Sequence, residues 1–315
     1  MTAFPQVDAY RGGAGLIRVI GHRGARGVMP ENTLEGFRFT FDIGVDVLEF
    51  DVVMSSDGVP VITHNHALLP SAVRDGQGAW LQREDIKVAD LTLKELRDLD
   101  VGGLDSRSDY GRRFPDQAFL SGAVMPTLAE LCALVQEPQY AHVSLLLELK
   151  TDLSDPDIDA LRSAQVAAVV DVVRAHGLTG RTALHSFDWA LLDECRRQAP
   201  EMPTSYLSEA PRGEGASCQP DGVTKAGNLP EVVAKAGGQM WCPWFEDVTP
   251  ELLDEARALS LPVVVWTVNE VDDIVAMIEA GVDGIVTDYP GRVQRLLLER
   301  GLGWSARVST PPVAV

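Results

Sequence analysis

The chain has 315 residues, 45% of them hydrophobic, and a formal net charge of -19 at pH 7; that length suits one large α/β domain or two ordinary ones. The excess of acid repels polyphosphate chains and anionic lipid surfaces, which argues against nucleic-acid partners but leaves room for a small anion held by local cations. No stretch approaches the roughly 18 apolar residues of a membrane span, and the N-terminal segment lacks a basic region followed by an apolar one, so a soluble, cytoplasmic protein with no integral membrane segment is expected.

Short β-rich apolar runs recur along the chain, at 16 to 20, 46 to 52, 144 to 150, 182 to 187, 204 to 208, 239 to 244, 262 to 268 and 284 to 289. Between them lie amphipathic stretches such as "TLEGFRFTFDI", "TLAELCALVQ", "DALRSAQVAAVVDVVRAHG", "DWALLDECRRQ", "TPELLDEARAL" and "VDDIVAMIEAG". Several open on Thr or Asp as an N-cap and end near Gly. Eight strands alternating with helices over this length favour a (β/α)8 TIM barrel over an open doubly wound sheet, although the two share a periodicity. Two regions break the rhythm. Residues 65 to 126 form an insertion after the second strand's hairpin, with "LTLKELRDLDVG" as a short helix inside it, and residues 208 to 228 are rich in Pro and Gly. One catalytic domain over 16 to 303, insertion included, is expected, followed by a flexible tail over 304 to 315. Cys132, Cys195, Cys218 and Cys242 are scattered without a C-x-x-C pair, which reads as free thiols, with Cys132 and Cys242 buried.

Barrel chemistry collects at the C-terminal ends of the strands, and so do the polar residues here: His22 and Arg23, Glu49 and Asp51, Glu148 and Lys150, His185 and Ser186, Trp266 and Asn269, and Asp288. Glu49 and Asp51, at i and i+2, share one strand face, and burying like charges there without a counter-ion is unfavourable. With Glu148 from the next parallel strand they form a three-carboxylate oxygen site suited to one hard divalent ion, Mg²⁺ or Ca²⁺. Each carboxylate taken alone could equally be a hydrogen-bonded structural group. Arg23 offers bidentate contacts to a phosphate and His22 titrates near neutrality; Lys150 reads either as a phosphate ligand or as a salt-bridge neighbour of Glu148. In "VLEFDVVMSSDGVPVITHNH", a turn at 55 to 58 pairing Ser55 with Gly58 would set Asp51 against Ile62 and Glu49 against His64, returning His64 to the carboxylates. His66, two residues on, is assigned to the surface, and His142, His176 and His185 to structural roles.

Taken together, "GHRGARGVMPENTLEGF", "GVDVLEFDVVMSSDGVPVITHN", "LLLELK", "VVVWTVN" and "GVDGIVTDYP" resemble the glycerophosphodiester phosphodiesterase family, in order from about residue 16 to residue 300. The resemblance implies a TIM barrel with an insertion after the second catalytic histidine. It further implies a divalent metal on Glu49, Asp51 and Glu148, an acid/base pair of His22 and His64, and phosphate contacts from Arg23 and Lys150. Trp266 would line the substrate pocket, a position an ordinary barrel-wall aromatic could also fill, and Asn32 would support the metal or substrate. The family commonly has His-Asp where this chain has His64-Asn65. The segment "LLPSAVRDGQGAWL" also departs from the family's commoner continuation, which bears on leaving-group preference. The expected activity is metal-dependent hydrolysis of small-molecule glycerophosphodiesters to glycerol 3-phosphate and an alcohol. The alternatives are a lysophospholipase D-like reaction on the same barrel, a noncatalytic phosphate-ligand-binding protein, and a metal-dependent aldolase on a similar barrel.

Overall fold

The computed structural model describes residues 4–210 and 228–305. Nine strands are present among them: β1 (Arg18–His22), β2 (Val47–Met54), β3 (Pro60–Ile62), β4 (Ser144–Leu149), β5 (Thr182–Ser186), β6 (Thr204–Ser208), β7 (Met240–Pro243), β8 (Val264–Val265) and β9 (Gly284–Thr287). Eight of them run parallel in the order β7-β6-β5-β4-β2-β1-β9-β8, with β3 hanging from β2 as an antiparallel partner. Bridges from Trp241 to Val263 and from Trp244 to Trp266 join the two ends of that order. The result is the expected TIM barrel, nearly closed. Of the Pro- and Gly-rich stretch, residues 211–227, with Cys218, lie outside the described residues.

The alternation of side chains along each strand sorts the barrel wall into two faces. On β2, Leu48, Phe50 and Val52 face outward into a core shared with the helices, and Leu145, Leu147 and Leu149 of β4 join them. Val47 and Leu146 point inward instead, packing with Ile20, Ala183, Leu207, Met240, Cys242, Val264 and Val286 to fill the lower barrel. Cys132, Cys195 and Cys242 are buried free thiols.

Both chain ends extend the packed unit beyond the expected 16 to 303. Tyr10 is fully buried in the barrel interior, and its hydroxyl donates to the Leu145 carbonyl at 2.6 Å. At the other end Trp304, expected in the flexible tail, is only 8% exposed and donates from Nε1 to the Gly44 carbonyl at 2.8 Å. A large aromatic ring against an apolar surface outweighs the polar composition around it.

The β2–β3 hairpin differs by one residue from the sequence-based register. Val52 pairs with Ile62, Val53 with Val61 and Met54 with Pro60. The turn carries three residues: Ser55 donates its N–H to the Val59 carbonyl at 3.0 Å, and Gly58 adopts the left-handed conformation (φ +76) that such a turn requires. The extra residue moves Asp51 and Glu49 out of line with Ile62 and His64. His64 still returns to the site, because the strand ends at Ile62 and the chain is free to turn inward.

The insertion has its own small core of Val61, Leu68, Val73, Val88, Leu96 and Met125 beneath the hairpin. Its helices follow α1 (Leu34–Asp42) and are short: α2 (Leu93–Leu96), the expected one, closed by a capping box between Thr92 and Glu95, and α3 (Asp109–Arg113). α3 sits close to the barrel mouth, held there by Gln117 Nε2 donating to the Arg26 carbonyl at 2.7 Å and by Ala118 N–H donating to that of Val28 at 2.9 Å.

Candidate active site

One layer above the apolar plug, the inward positions turn polar. Registration of the parallel strands places His22 beside Glu49, Asp51 beside Glu148 and Glu148 beside His185. His22, Glu49, Glu148 and His185 form the floor of a cavity of about 380 Å³ at the C-terminal mouth of the barrel, with Asp51 buried behind them; His64, Arg23 and Lys150 are on its lining, with Tyr110 and Arg113 contributed by the insertion.

Glu49, Asp51 and Glu148 are all buried, and each offers an oxygen within 4.8 Å of the others. Arg23 and Lys150 are the neighbouring cations. Lys150 Nζ stands 2.6 Å from Glu148 Oε1 and 3.2 Å from Asp51 Oδ1, and Arg23 Nε stands 3.2 Å from Asp51 Oδ2. The Arg23 backbone N–H donates to Glu49 Oε2 at 3.0 Å, in a left-handed conformation (φ 49) made possible by the following Gly24 (φ +92). Three carboxylates share two cations, and Arg23 is divided further with a fourth acid, Glu31, at 2.8 Å, so negative charge is in excess. Burial, then the repulsion of Asp51 and Glu148, holds Glu49 well above the usual carboxylate range, and burial pushes Glu148 up to about 7 against the pull of Lys150. For Asp51 the burial cost is outweighed by Lys150 and Arg23, which hold it well below that range. Asp51 Oδ1 is buried without an aligned hydrogen-bond donor, as is Asn32 Oδ1, although Asn32 Nδ2 donates to Asp51 Oδ2 at 3.0 Å. An all-oxygen donor set with a buried carboxylate oxygen that no hydrogen bond satisfies, and with an excess of negative charge, fits a hard divalent cation.

The two histidines are held by different partners. His22 Nδ1 lies 2.7 Å from Asp288 Oδ1, and Asp288 also takes Arg26 Nε and Nη2 at 2.7 and 2.9 Å and Asn269 Nδ2 at 2.7 Å. Asp288 is fully buried, and although burial opposes ionisation, His22 and Arg26 hold its pKa far below the carboxylate range. An ionised carboxylate only accepts, so the proton of neutral His22 resides on Nδ1 and Nε2 presents its lone pair, 3.9 Å from Glu49 Oε2. His64 Nδ1 is paired with Asn65 Oδ1. The partner of His64 is therefore a neutral amide oxygen, where that of His22 is a carboxylate. Burial pushes His22 down to about 4 and His64 down to about 3, so both imidazoles are neutral at pH 7.

Trp266 lines the cavity, donating from Nε1 to the Cys242 carbonyl at 2.9 Å and meeting Phe187 and Trp244 edge to face. His66 lies outside the cavity, half-buried in a separate groove beside Lys87 and Asp152. His185, assigned a structural role from sequence, does reach the cavity floor while its Nδ1 contacts Ser205 Oγ at 2.7 Å. Sequence reading missed the second ring of the site: Arg26 on Asp288, Glu31 on Arg23 at 2.8 Å, and Tyr110, whose hydroxyl donates to Glu31 and accepts from Arg26 Nη1 at 3.2 Å. Arg26 sits in the same "GHRGARG" run as His22 and could have been noticed there. Tyr110 carries no such signal.

Comparison with known proteins agrees with this geometry. Residues 22–292 match the glycerophosphoryl diester phosphodiesterase family. A glycerophosphodiester phosphodiesterase of Caldanaerobacter subterraneus subsp. tengcongensis is 24% identical over 283 residues, covering 90% of this chain and 98% of the relative. A crystal structure of a Silicibacter pomeroyi DSS-3 protein of the same family name superposes with a TM-score of 0.90 at 57% identity, over 96% of this chain and 100% of that one. A phosphodiesterase of Oleispira antarctica, solved with the product sn-glycerol-3-phosphate, superposes with a TM-score of 0.67 at 25% identity, over 89% of this chain and 96% of that one. The barrel, the buried carboxylate triad and these relatives lead to one assignment: the chain belongs to the glycerophosphoryl diester phosphodiesterase family.

Proposed function

We propose that the protein hydrolyses glycerophosphodiesters to glycerol 3-phosphate and an alcohol, with one divalent cation, Mg²⁺ or Ca²⁺, held by Glu49, Asp51 and Glu148. The observation that carries this reading is the buried carboxylate triad set at the floor of a cavity lined by two imidazoles, each anchored through Nδ1. When bound, the cation neutralises phosphoryl oxygens as charge develops on them. Arg23 and Lys150 hold the phosphate's remaining oxygens. Trp266 gives the glycerol carbons an apolar wall.

Of the two histidines, His22 is the better proton acceptor, because the Asp288 carboxylate stabilises the imidazolium that forms. It takes the proton of the attacking hydroxyl at Nε2, whether that hydroxyl is water or the glycerol's own. His64, backed by a neutral amide, is the better donor. The negative charge of the bound diester favours its protonated form, which then delivers a proton to the departing alcohol oxygen.

The test is release of glycerol 3-phosphate from glycerophosphocholine and glycerophosphoethanolamine, with EDTA and then with added Mg²⁺ or Ca²⁺. Cation-dependent release is expected. Its absence with every diester tried would sink the proposal, and a Glu49→Ala variant with unchanged cation affinity and turnover would sink the site assignment. His22→Ala and His64→Ala should each fold and lose most turnover.

A further inference from the structure

The insertion brings one charge to the mouth that the proposed reaction does not use. Arg113, at the end of α3, lines the cavity with its guanidinium exposed. Arg23, Arg26 and Lys150, the other cations of the mouth, are each committed to carboxylates: Arg23 to Glu31 and Asp51, Arg26 to Asp288, Lys150 to Glu148 and Asp51. Arg113 has only the faces of Tyr110 and Phe114 beneath it, at 5.9 and 5.8 Å. Its neighbour Arg112 pairs with Asp109, the acid nearest on the same helix. Among the described residues, Arg113 is the one arginine whose guanidinium has neither an ion pair nor a hydrogen bond. In a chain of net charge -19, an uncommitted guanidinium at a cavity mouth stands out from its background.

Its position is fixed from below. Phe114 is buried under the Arg26 guanidinium, whose carbon lies 4.6 Å from the ring centroid, and Tyr110 is tied to Glu31 and Arg26. Gly111 packs so closely that a Cβ there would stand 2.1 Å from the Asp105 carbonyl oxygen. The base of the side chain is therefore set, and the planar fork is free to meet a ligand.

The rest of the mouth says which ligand. A cationic head group would meet Arg26, Arg113 and Lys150, and the face of Phe187 already lies under Lys150 Nζ, 5.9 Å away. The acids on the lining, Glu49 and Glu148, belong to the cation set. We propose that Arg113 is a specificity-determining residue that selects glycerophosphodiesters whose leaving alcohol itself carries an anionic oxygen group, a phosphate above all. The inference rests on the phosphodiesterase reading and names its substrate class.

The experiment compares three diesters with the metal-loaded, full-length protein: glycerophosphoglycerol, whose leaving alcohol is neutral; its phosphate-bearing analogue; and glycerophosphocholine, whose leaving alcohol is cationic. The ratio of kcat/KM for the phosphate-bearing to the neutral substrate should exceed one in the parent, and the ratio for the choline substrate should fall below one. Arg113→Gln should lower the first ratio about tenfold, chiefly through KM, Arg113→Lys should restore part of it, and Arg112→Gln should leave it unchanged. A ratio that stays within twofold of the parent's in Arg113→Gln, or a parent that prefers the choline substrate, overturns the inference. No turnover of any of the three by the parent would overturn the phosphodiesterase reading and this inference with it. Loss of selectivity alone is therefore distinguishable from loss of the reaction.

Discussion

Asp288→Asn removes one charge from a residue that none of the carboxylate triad touches. Asp288 accepts four hydrogen bonds, two at each oxygen, from His22, Arg26 and Asn269. An asparagine has one carbonyl oxygen, so two of those donors would face an amide NH₂ instead. Arg26, 7% exposed, would keep its charge and lose its counter-ion. Breaking a buried pair from one side costs about 3–5 kcal/mol, which a urea unfolding curve would show as a lower midpoint at constant m. The effect on chemistry is separate. The asparagine NH₂ can donate to His22 Nδ1 and drive the ring proton to Nε2, the nitrogen that must accept. Where the same change has been made beneath the catalytic histidine of a serine protease, kcat falls about 10⁴-fold. A loss of about 10²- to 10⁴-fold in kcat, with KM changed much less, is expected from single-turnover measurements under conditions where the variant is folded. An Asp288→Asn protein that is folded and turns over within threefold of the parent would refute the assignment of Asp288 as the positioning residue of His22.

Three further outcomes follow from other parts of the structure. Glu148, raised by burial from its ordinary 4.5 to about 7, stabilises the metal-free fold fully below pH 4.5 and loses that contribution as pH rises through 7, whereas His22 and His64, depressed, contribute stability that is lost as pH falls from 6.5 toward 4. Because these act in opposite directions, the clean readout is cation affinity, which should rise with pH as Glu148 and Glu49, both held above the usual carboxylate range, give up their protons; calorimetric affinities independent of pH between 5.5 and 7.5 would contradict this. Tyr10→Ala empties a fully buried ring position and should cost about 3–5 kcal/mol, read by urea unfolding, and a change below about 1 kcal/mol would show that the N-terminal segment is not part of the barrel core. Asn65→Asp places a carboxylate against His64 Nδ1 and should raise the His64 pKa, moving the alkaline limb of the kcat profile, where the proton donor is lost, to higher pH; an unmoved limb would remove His64 from the proton-transfer steps.

The barrel was legible because its strands are buried on both faces and their apolar runs stand apart from the helical spacing between them. Glu49 and Asp51 were legible for a related reason: acids at i and i+2 within such a run have no solvent to face. What local reading could not supply was pairing at a distance. Arg26 and Asp288 are 262 residues apart in the chain, and Tyr110 and Glu31 are 79 apart; only the closed barrel and the docked insertion bring them together. The hairpin register was lost on one residue, because "SSDG" serves a two-residue or a three-residue turn equally well until Gly58 is seen in its left-handed conformation. Trp304 was lost because a single aromatic ring in a polar segment gives no period to read.

The pairing of His22 with Asp288 joins the end of the first strand to the residue just after the last. During synthesis the three carboxylates leave the ribosome once β4 has emerged, long before β9 does. A nascent chain at that stage therefore carries the carboxylate triad but not Asp288, the partner of His22 Nδ1. Closing the ring of strands is thus what completes the His22–Asp288 pair, and a chain that ends before β9 lacks it.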